Sequence, residues 1–157
     1  NGGGYIKAAI DVSSHFLPRG YLVVSIKHFR NNQFETHRSY GNEIIKWPVV
    51  VLTNKFTASA SEITAGALKD TNKAILIGEK TFGKGSVQSI HEFKGGSALK
   101  YTIAHYFTPK GVDINDVGIS PDIEIKMDPE LVGTKEDIQL IKAVRVLRKQ
   151  LQASAGR

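Results

Sequence analysis

A buried strand that runs into a short helix is the strongest structural signal in this chain. The apolar run Pro48-Val-Val-Val-Leu52 predicts the strand, and residues 60–69 predict the helix, with apolar side chains at Ala60, Ile63, Ala67 and Leu68. A second apolar segment, Ala74 to Gly78, completes a strand–helix–strand unit with a buried parallel pair. Because helical and strand-like segments are interspersed along the chain, we predict an α/β domain.

Ser59 stands where the predicted strand turns into the predicted helix. Backbone N–H groups at the start of a helix have no intrahelical partners and lie at the positive end of the helix dipole. This placement suits a nucleophile whose substrate develops an oxyanion. The same position is also an ordinary N-cap, for which serine is a preferred residue. The stretch alone leaves both interpretations open. For the neighbouring Ser61 and Glu62 we expect backbone hydrogen-bonding or packing roles and no part in the chemistry.

A second loop, Thr81 to Gln88, places Lys84 between Gly83 and Gly85 and leads into the strand-like run Ser86 to Phe93. Serine–lysine pairs without histidine are a recognised nucleophile–base arrangement. A lysine that acts as a base must be neutral, so its pKa has to fall from about 10.4 through burial or nearby positive charge. The two loops together make Ser–Lys catalysis the hypothesis to test.

These stretches resemble the C-terminal processing peptidases, also called tail-specific or carboxyl-terminal proteases, which are Ser–Lys enzymes. The resemblance covers residues 1 to about 125 and is carried by Thr57–Ile63, Ala65–Asp70 and Gly78–Gln88. It implies that Ser59 is the nucleophile, Lys84 the general base and Gln88 the residue that orients the lysine. Lys84 follows Ser59 by 25 residues and Gln88 follows Lys84 by 4, as in the family pattern.

The resemblance also implies a fold, namely a ClpP/crotonase-like α/β core with a mixed sheet, helices packed on it and a C-terminal amphipathic helix. We assign residues 1–128 to a partial catalytic core and residues 129–157 to the C-terminal helix, which packs on the core or extends from it. That helix is predicted mainly over Pro129 to Gln152, with an apolar side formed by Ile138, Ile141, Val144, Leu147 and Leu151. Residues 86–93 and 97–108 predict a hairpin around Lys94-Gly-Gly96.

The chain opens with Asn1-Gly-Gly-Gly4, which from the residues alone fits an oxyanion loop, a phosphate loop or a plain turn. The resemblance implies that Gly4, or failing it Gly3, donates one N–H to an oxyanion hole and that Ala60 donates the other. The sequence begins inside the family motif, so the strand that carries the glycine loop is not part of it. We therefore expect a folded fragment with little or no activity, whose uncovered sheet edge favours self-association.

The function that the resemblance implies is a serine endopeptidase that cleaves proteins near their C-termini. Its partners would be protein or peptide substrates with apolar C-termini and the PDZ domain that family members carry upstream. Family members also carry a signal peptide, which implies a periplasmic, other extracytoplasmic or thylakoid-lumenal location for the full-length protein. A catalytically inactive peptide- or ligand-binding module on the same fold is the alternative. A crotonase-like enzyme that binds coenzyme A is a third hypothesis.

Composition argues against several other classes of function. The chain has no cysteine, which excludes a disulfide, a thiolate nucleophile and a cysteine-based zinc site. Its five histidines show no paired ligand spacing. We therefore predict no metal and no cofactor. The net charge is +6, but from Lys135 onward there are six basic and two acidic residues with no interleaved aromatics, which argues against nucleic-acid binding. A nucleotide loop ending at Lys84 is disfavoured because Gly85 stands where serine or threonine would hold magnesium.

Overall fold

The predicted α/β class is confirmed by the structure, a computed structural model that describes residues 1–41 and 43–155. It contains three α-helices, a short 3-10 helix and two sheets. In chain order the elements are α1 (Ile6–Phe16), β1 (Leu22–His28), β2 (Phe34–Arg38), β3 (Val49–Thr53), α2 (Ala60–Asp70), β4 (Ala74–Gly78), β5 (Ser86–Glu92), β6 (Ala98–Phe107), β7 (Ile123–Glu124), the 3-10 helix Pro129–Leu131 and α3 (Ile138–Ala155). Residues 156–157, which the sequence analysis included in the C-terminal helix, lie outside the described residues.

The predicted strand–helix–strand unit is confirmed and forms the three-stranded parallel sheet. β3 pairs with β4 in parallel, from Val49 opposite Ala74 to Thr53 opposite Gly78, and β4 pairs in parallel with β7. Parallel strands end at the same edge of a sheet. The loop after β3 carries Ser59 and the loop after β4 carries Lys84, so both loops leave the sheet at one edge, where ligands bind in α/β folds.

The second sheet is antiparallel, with strand order β2-β1-β6-β5. β5 and β6 form the predicted hairpin, whose turn contains Gly95 and Gly96, both with positive φ. β1 pairs with β6 from Ser25 opposite Phe107 to His28 opposite Ala104, although the two strands are far apart in the sequence. This sheet thus brings the strand that follows Lys84 into one hydrogen-bonded surface with the N-terminal half of the chain.

Helix α2 lies inside the domain, between the two sheets' hydrophobic cores. Ile63 and Leu68 pack with α1, β1 and β6 in the main core, while Ala65 packs with Leu76 and Ile119 in a second cluster. At least seven of its eleven residues are buried. A helix buried on several sides cannot shift without breaking core contacts, so Ser59 at its N-terminus has a rigid support.

The C-terminal helix begins later than predicted. A single helix from residue 129 is wrong because the chain takes a positive φ of 76° at Gly133 after the 3-10 helix. The Asp137 carboxylate then accepts the N–H of Gly133 at 2.9 Å and of Leu140 at 2.8 Å, which caps α3. No helix among the described residues combines the length and the apolarity that a membrane span requires.

Helix α3 packs on the parallel sheet mainly through a small and polar face. Gln139 and Ala143 are buried there, and the Gln139 side chain donates to the Ile125 carbonyl at 2.8 Å. Most of the predicted apolar side faces outward instead: Ile138, Ile141, Val144 and Leu151 are exposed, and Leu147 is half-buried. The sequence pattern therefore found the helix but not the face that packs.

Candidate active site

Ser59 sits at a tightly built junction between β3 and α2. Asn54 organises the connecting loop, since its backbone N–H donates to Thr57 Oγ1 and its carbonyl accepts the Thr57 N–H. Ser59 is half-buried and has φ 57° and ψ −125°. An ordinary N-cap residue is extended, whereas this conformation is one that glycine normally takes and costs a side-chain-bearing residue about 1–3 kcal/mol. The strain favours the nucleophile interpretation over plain capping, because strained strand-to-helix turns present nucleophilic serines.

The Glu62 carboxylate joins the two predicted catalytic loops. It is fully buried and accepts four hydrogen bonds. Oε2 accepts the backbone N–H of Ser59 and of Lys84, each at 2.8 Å. Oε1 accepts the Gly83 N–H at 2.7 Å and the Thr81 hydroxyl at 2.5 Å. Because one oxygen holds both N–H groups, the backbones of Ser59 and Lys84 are neighbours with a fixed separation.

A segment that precedes β7 supports the lysine loop from behind. The N–H of Asp116 donates to the Gly83 carbonyl at 2.9 Å. A side chain at Gly85 would lie 2.2 Å from the backbone nitrogen of Asn115, so only glycine fits there. The lysine loop is therefore held between α2 on one side and residues 114–119 on the other.

The side chain of Lys84 is exposed, and within the described residues its ε-amino group has no hydrogen-bond or ion-pair partner. Gln88, on β5, is also exposed and donates to Thr102 Oγ1 at 2.8 Å and to Ser86 Oγ at 3.2 Å. The structure thus brings the backbones of Ser59 and Lys84 together. The predicted orientation of Lys84 by Gln88 stays a prediction.

The N-terminal glycine loop lies directly against Ser59. Gly3 has φ 94°, and a side chain there would meet the Ala58 carbonyl oxygen at 2.6 Å, Ser59 Cβ at 2.8 Å and the Ala60 nitrogen at 2.9 Å. The Asn1 carbonyl accepts the Ala58 N–H at 3.1 Å, and the Asn1 side chain accepts the Gly3 N–H. In residues 1–41 and 43–155, the N–H groups of Gly4 and Ala60 have no protein acceptor.

An apolar cleft of about 310 Å³ opens beside these two free N–H groups. Gly4 and Ala60 line it together with residues of α1, β3 and α2, among them Ala8, Val12, Val51, Leu52 and Ala65. A larger groove, about 610 Å³, runs along α3 and is lined by no residue of the Ser59 and Lys84 loops. The smaller cleft is therefore the candidate for a substrate side chain. The described residues include no cluster of three or more acidic or histidine side chains that could hold a metal ion.

Sequence reasoning gave Glu62 only a backbone hydrogen-bonding or packing role, and it missed Thr81 and the supporting segment. The backbone hydrogen bonding of Glu62 is confirmed, but its reach to the lysine loop was not expected. One signal was available: a glutamate three residues after an N-terminal serine forms a capping box, and here it lies on the buried face of a helix. For Thr81 no local signal exists, because its partners lie 19 and 38 residues away in the sequence.

Known proteins are similar to this chain in sequence and in fold. Residues 1–125 match the family model described as peptidase family S41. The chain is 40% identical over 150 residues to a carboxyl-terminal-processing protease of Picosynechococcus sp., covering 94% of this chain and 36% of that protein. It is 43% identical over 135 residues to the chloroplastic C-terminal processing peptidase of Tetradesmus obliquus, covering 85% of this chain and 28% of that protein.

Among solved structures, the photosystem II D1 C-terminal processing protease superposes with a TM-score of 0.75 and 42% sequence identity, covering 94% of this chain and 36% of that one. The chain thus spans about a third of the length of the relatives it matches. The matched region includes the loops that carry Ser59 and Lys84 and the N-terminal glycine loop. This chain belongs to peptidase family S41.

Proposed function

We propose that the chain is the catalytic part of a serine endopeptidase that uses a Ser59–Lys84 dyad. One observation carries the proposal: a single buried carboxylate oxygen of Glu62 holds the backbone N–H groups of both residues. Capping of α2 alone does not explain the strain at Ser59, since an unstrained serine can cap a helix. The arrangement holds the backbones of the proposed nucleophile and the proposed base, which lie in two different loops, next to each other, and covalent catalysis requires such positioning.

In this mechanism Ser59 Oγ attacks the carbonyl carbon of the scissile peptide bond while its proton passes to Lys84 Nζ. The lysine then gives that proton to the leaving amine, and a water molecule hydrolyses the acyl-enzyme. The N–H groups of Gly4 and Ala60 are the proposed oxyanion donors, because they are free of protein acceptors and line one cleft. Gly3 is the weaker candidate, since Asn1 already accepts its N–H at 2.9 Å. Gln88 is proposed to orient the lysine once substrate is bound.

The proposed substrates are proteins or peptides with apolar C-termini. The cleft beside Gly4 and Ala60 supports this choice, because its walls are mostly alanine, valine and leucine side chains. Selection of the C-terminus itself is proposed to come from a PDZ domain in the full-length protein. Curated relatives include chloroplastic and bacterial processing proteases, which supports an extracytoplasmic or thylakoid-lumenal location.

The 157-residue chain by itself is proposed to have little activity and to self-associate. Among the described strands β3 is an edge of the parallel sheet, and an unpaired edge is a template for pairing with another copy. The exposed side chain of Lys84 supports low activity, because burial is one of the two ways to obtain a neutral lysine. Light scattering and a peptidase assay, run beside the full-length protein, test both parts. Equal specific activity with a monomeric short form would contradict them.

The dyad is tested by a serine-reactive phosphonate followed by peptide mapping, together with cleavage of a peptide that has an apolar C-terminus. In the full-length protein we expect Ser59→Ala to abolish labelling and to lower kcat by several orders of magnitude. Ser97→Ala is the matched control, since Ser97 is an exposed serine in the turn between β5 and β6 and does not line the cleft. Cleavage by Ser59→Ala within tenfold of wild type would show that Ser59 is not the nucleophile and would favour the inactive binding module.

A further inference from the structure

A single buried hydroxyl connects the Glu62 carboxylate to the segment that supports the lysine loop. Thr81 begins that loop, and only 5% of its surface is exposed. Its Oγ1 lies 2.5 Å from Glu62 Oε1 and 2.7 Å from the backbone nitrogen of Ile119. Its own N–H donates to the Ile119 carbonyl at 3.1 Å. Thr81 therefore contacts both walls between which Lys84 is held.

The direction of these hydrogen bonds follows from the groups involved. A backbone N–H can only donate, so the hydroxyl accepts from Ile119. The one hydrogen of the hydroxyl is then left for Glu62, whose carboxylate accepts it. A hydroxyl that accepts one bond and donates another is polarised by the first, which strengthens the second. Serine can reproduce both bonds, whereas valine has the same shape as threonine and can make neither.

Close packing behind Thr81 leaves little freedom for this arrangement to relax. Gly118 has φ 67°, and a side chain there would lie 2.5 Å from the Thr81 carbonyl oxygen and 3.2 Å from Thr81 Oγ1. The backbones of the two segments are thus in direct contact. Without the hydroxyl, the Ile119 N–H would be buried without an acceptor, and Glu62 Oε1 would keep only the Gly83 N–H.

We propose that Thr81 is a positioning residue of the proposed Ser59–Lys84 site, and the inference rests on that proposed function. Thr81 touches no substrate. Its hydroxyl fixes the rotation of the Glu62 carboxylate about the Cγ–Cδ bond. The orientation of the carboxylate in turn sets the distance between the backbones of Ser59 and Lys84. A nucleophile and a base have to be placed to within a fraction of an ångström, so a loosened carboxylate lowers the rate of the chemical step.

The test compares substitutions that separate hydrogen bonding from packing, made in the full-length protein. In Thr81→Val the shape is kept and both hydrogen bonds are lost, and we expect kcat to fall about 10- to 100-fold while KM stays within about threefold. In Thr81→Ser both bonds are kept and a methyl group is lost, and we expect kcat within about threefold of wild type. Thr81→Cys, with a weak donor and acceptor, should lie between them.

Thr71→Val is the matched control. Thr71 Oγ1 donates to the Ala67 carbonyl at 2.7 Å at the far end of α2, so the same chemical change is made away from the dyad. We expect this variant to keep wild-type kcat. The rate of phosphonate labelling of Ser59 should follow kcat across the series, whereas a thermal unfolding scan reports the purely structural effect.

A purely structural role for Thr81 predicts the opposite order of kcat values, in which Thr81→Val is close to wild type and Thr81→Ser is the least active. That order, or a Thr81→Val variant indistinguishable from Thr71→Val in kcat and labelling, would overturn the inference. If Thr81→Val does not fold, Thr81→Ser and Thr81→Cys decide the question by the same order. Wild-type protein whose labelling and cleavage do not depend on Ser59 would overturn the proposed function, and this inference with it. Ser59-dependent activity combined with the packing order would overturn this inference alone.

Discussion

Replacing Glu62 with glutamine tests the connection between the loops that carry Ser59 and Lys84. The amide has almost the same shape as the carboxylate, so the substitution changes hydrogen bonding and charge without leaving a cavity. Glu62 accepts four hydrogen bonds, two on each oxygen, and every partner is a donor. An amide has one acceptor oxygen and one NH₂ group. In either orientation of the side chain, the NH₂ group faces a backbone N–H.

The magnitude follows from the two hydrogen bonds that glutamine cannot accept. Hydrogen bonds to a charged group contribute about 1.5–3 kcal/mol each. Part of that loss is offset because a neutral amide costs less to bury than a carboxylate. We therefore expect the free energy of unfolding to fall by about 2–4 kcal/mol. For a domain of this size, that corresponds to a fall in Tm of about 5–15 °C.

Activity should fall as well as stability, because both orientations of the amide loosen the lysine loop. One orientation releases the Ser59 and Lys84 N–H groups, and the other releases Gly83 and Thr81. We expect kcat of the full-length protein to fall about 100-fold, the effect of a displacement near 1 Å at a catalytic group. Thermal unfolding and steady-state cleavage of a peptide measure the two effects. Glu136→Gln is the control, since that glutamate is exposed and near the start of α3. A Tm within 2 °C of wild type together with kcat within threefold would refute the role assigned to Glu62.

Three further changes test the proposed base Lys84, the glycine loop and the buried Tyr106. Lys84→Arg keeps a cation at this position, but a guanidinium cannot act as a base because its pKa is above about 12. We expect this variant to be as inactive as Lys84→Ala. An active arginine variant would show that the lysine acts only through its positive charge. Gly3→Ala places a methyl group 2.6 Å from the Ala58 carbonyl oxygen and should lower kcat at least tenfold, whereas Gly2→Ala, with no atom within 4 Å, should leave it unchanged. Burial raises the pKa of Tyr106 above 10.0, so the stability that it contributes is present below pH 10 and is lost as the pH rises through the folded-state pKa. The free energy of unfolding, measured at several values between pH 8 and 12, should therefore fall less steeply with pH for Tyr106→Phe than for wild type. The same pH dependence in both proteins would contradict this.

The local elements could be predicted because their signals are local. The parallel unit was predicted from the apolar run before Ser59, the helix after it and the next apolar segment. The hairpin was predicted from the glycines at positions 95 and 96 between two strand-like segments. Placing Ser59 and Lys84 at one edge needed no further information, since both follow parallel strands. The separation into two sheets was not predicted, because pairing of β1 with β6 depends on contacts between distant segments.

The face on which α3 packs shows a different limit of sequence patterns. Periodicity of apolar residues predicts which side of a helix can be buried, but it does not say against what. The side with Ile141 and Val144 is exposed, while Gln139 and Ala143 approach the parallel sheet. This small and polar face can pack on the sheet because the Gln139 side chain donates a hydrogen bond to the Ile125 carbonyl. The partner, and not the periodicity, decided the packing.

The strain at Ser59 and the position of Lys84 have the same cause. A positive φ at Ser59 persists only because surrounding contacts fix it, and the hydrogen bond from the Ser59 N–H to the Glu62 carboxylate is one of these contacts. The same oxygen accepts the Lys84 N–H, so the group that maintains the strained turn also places the loop of the proposed base. The backbones of Ser59 and Lys84 are therefore held together by one buried oxygen atom. The side chain of Lys84 extends from this support into solvent.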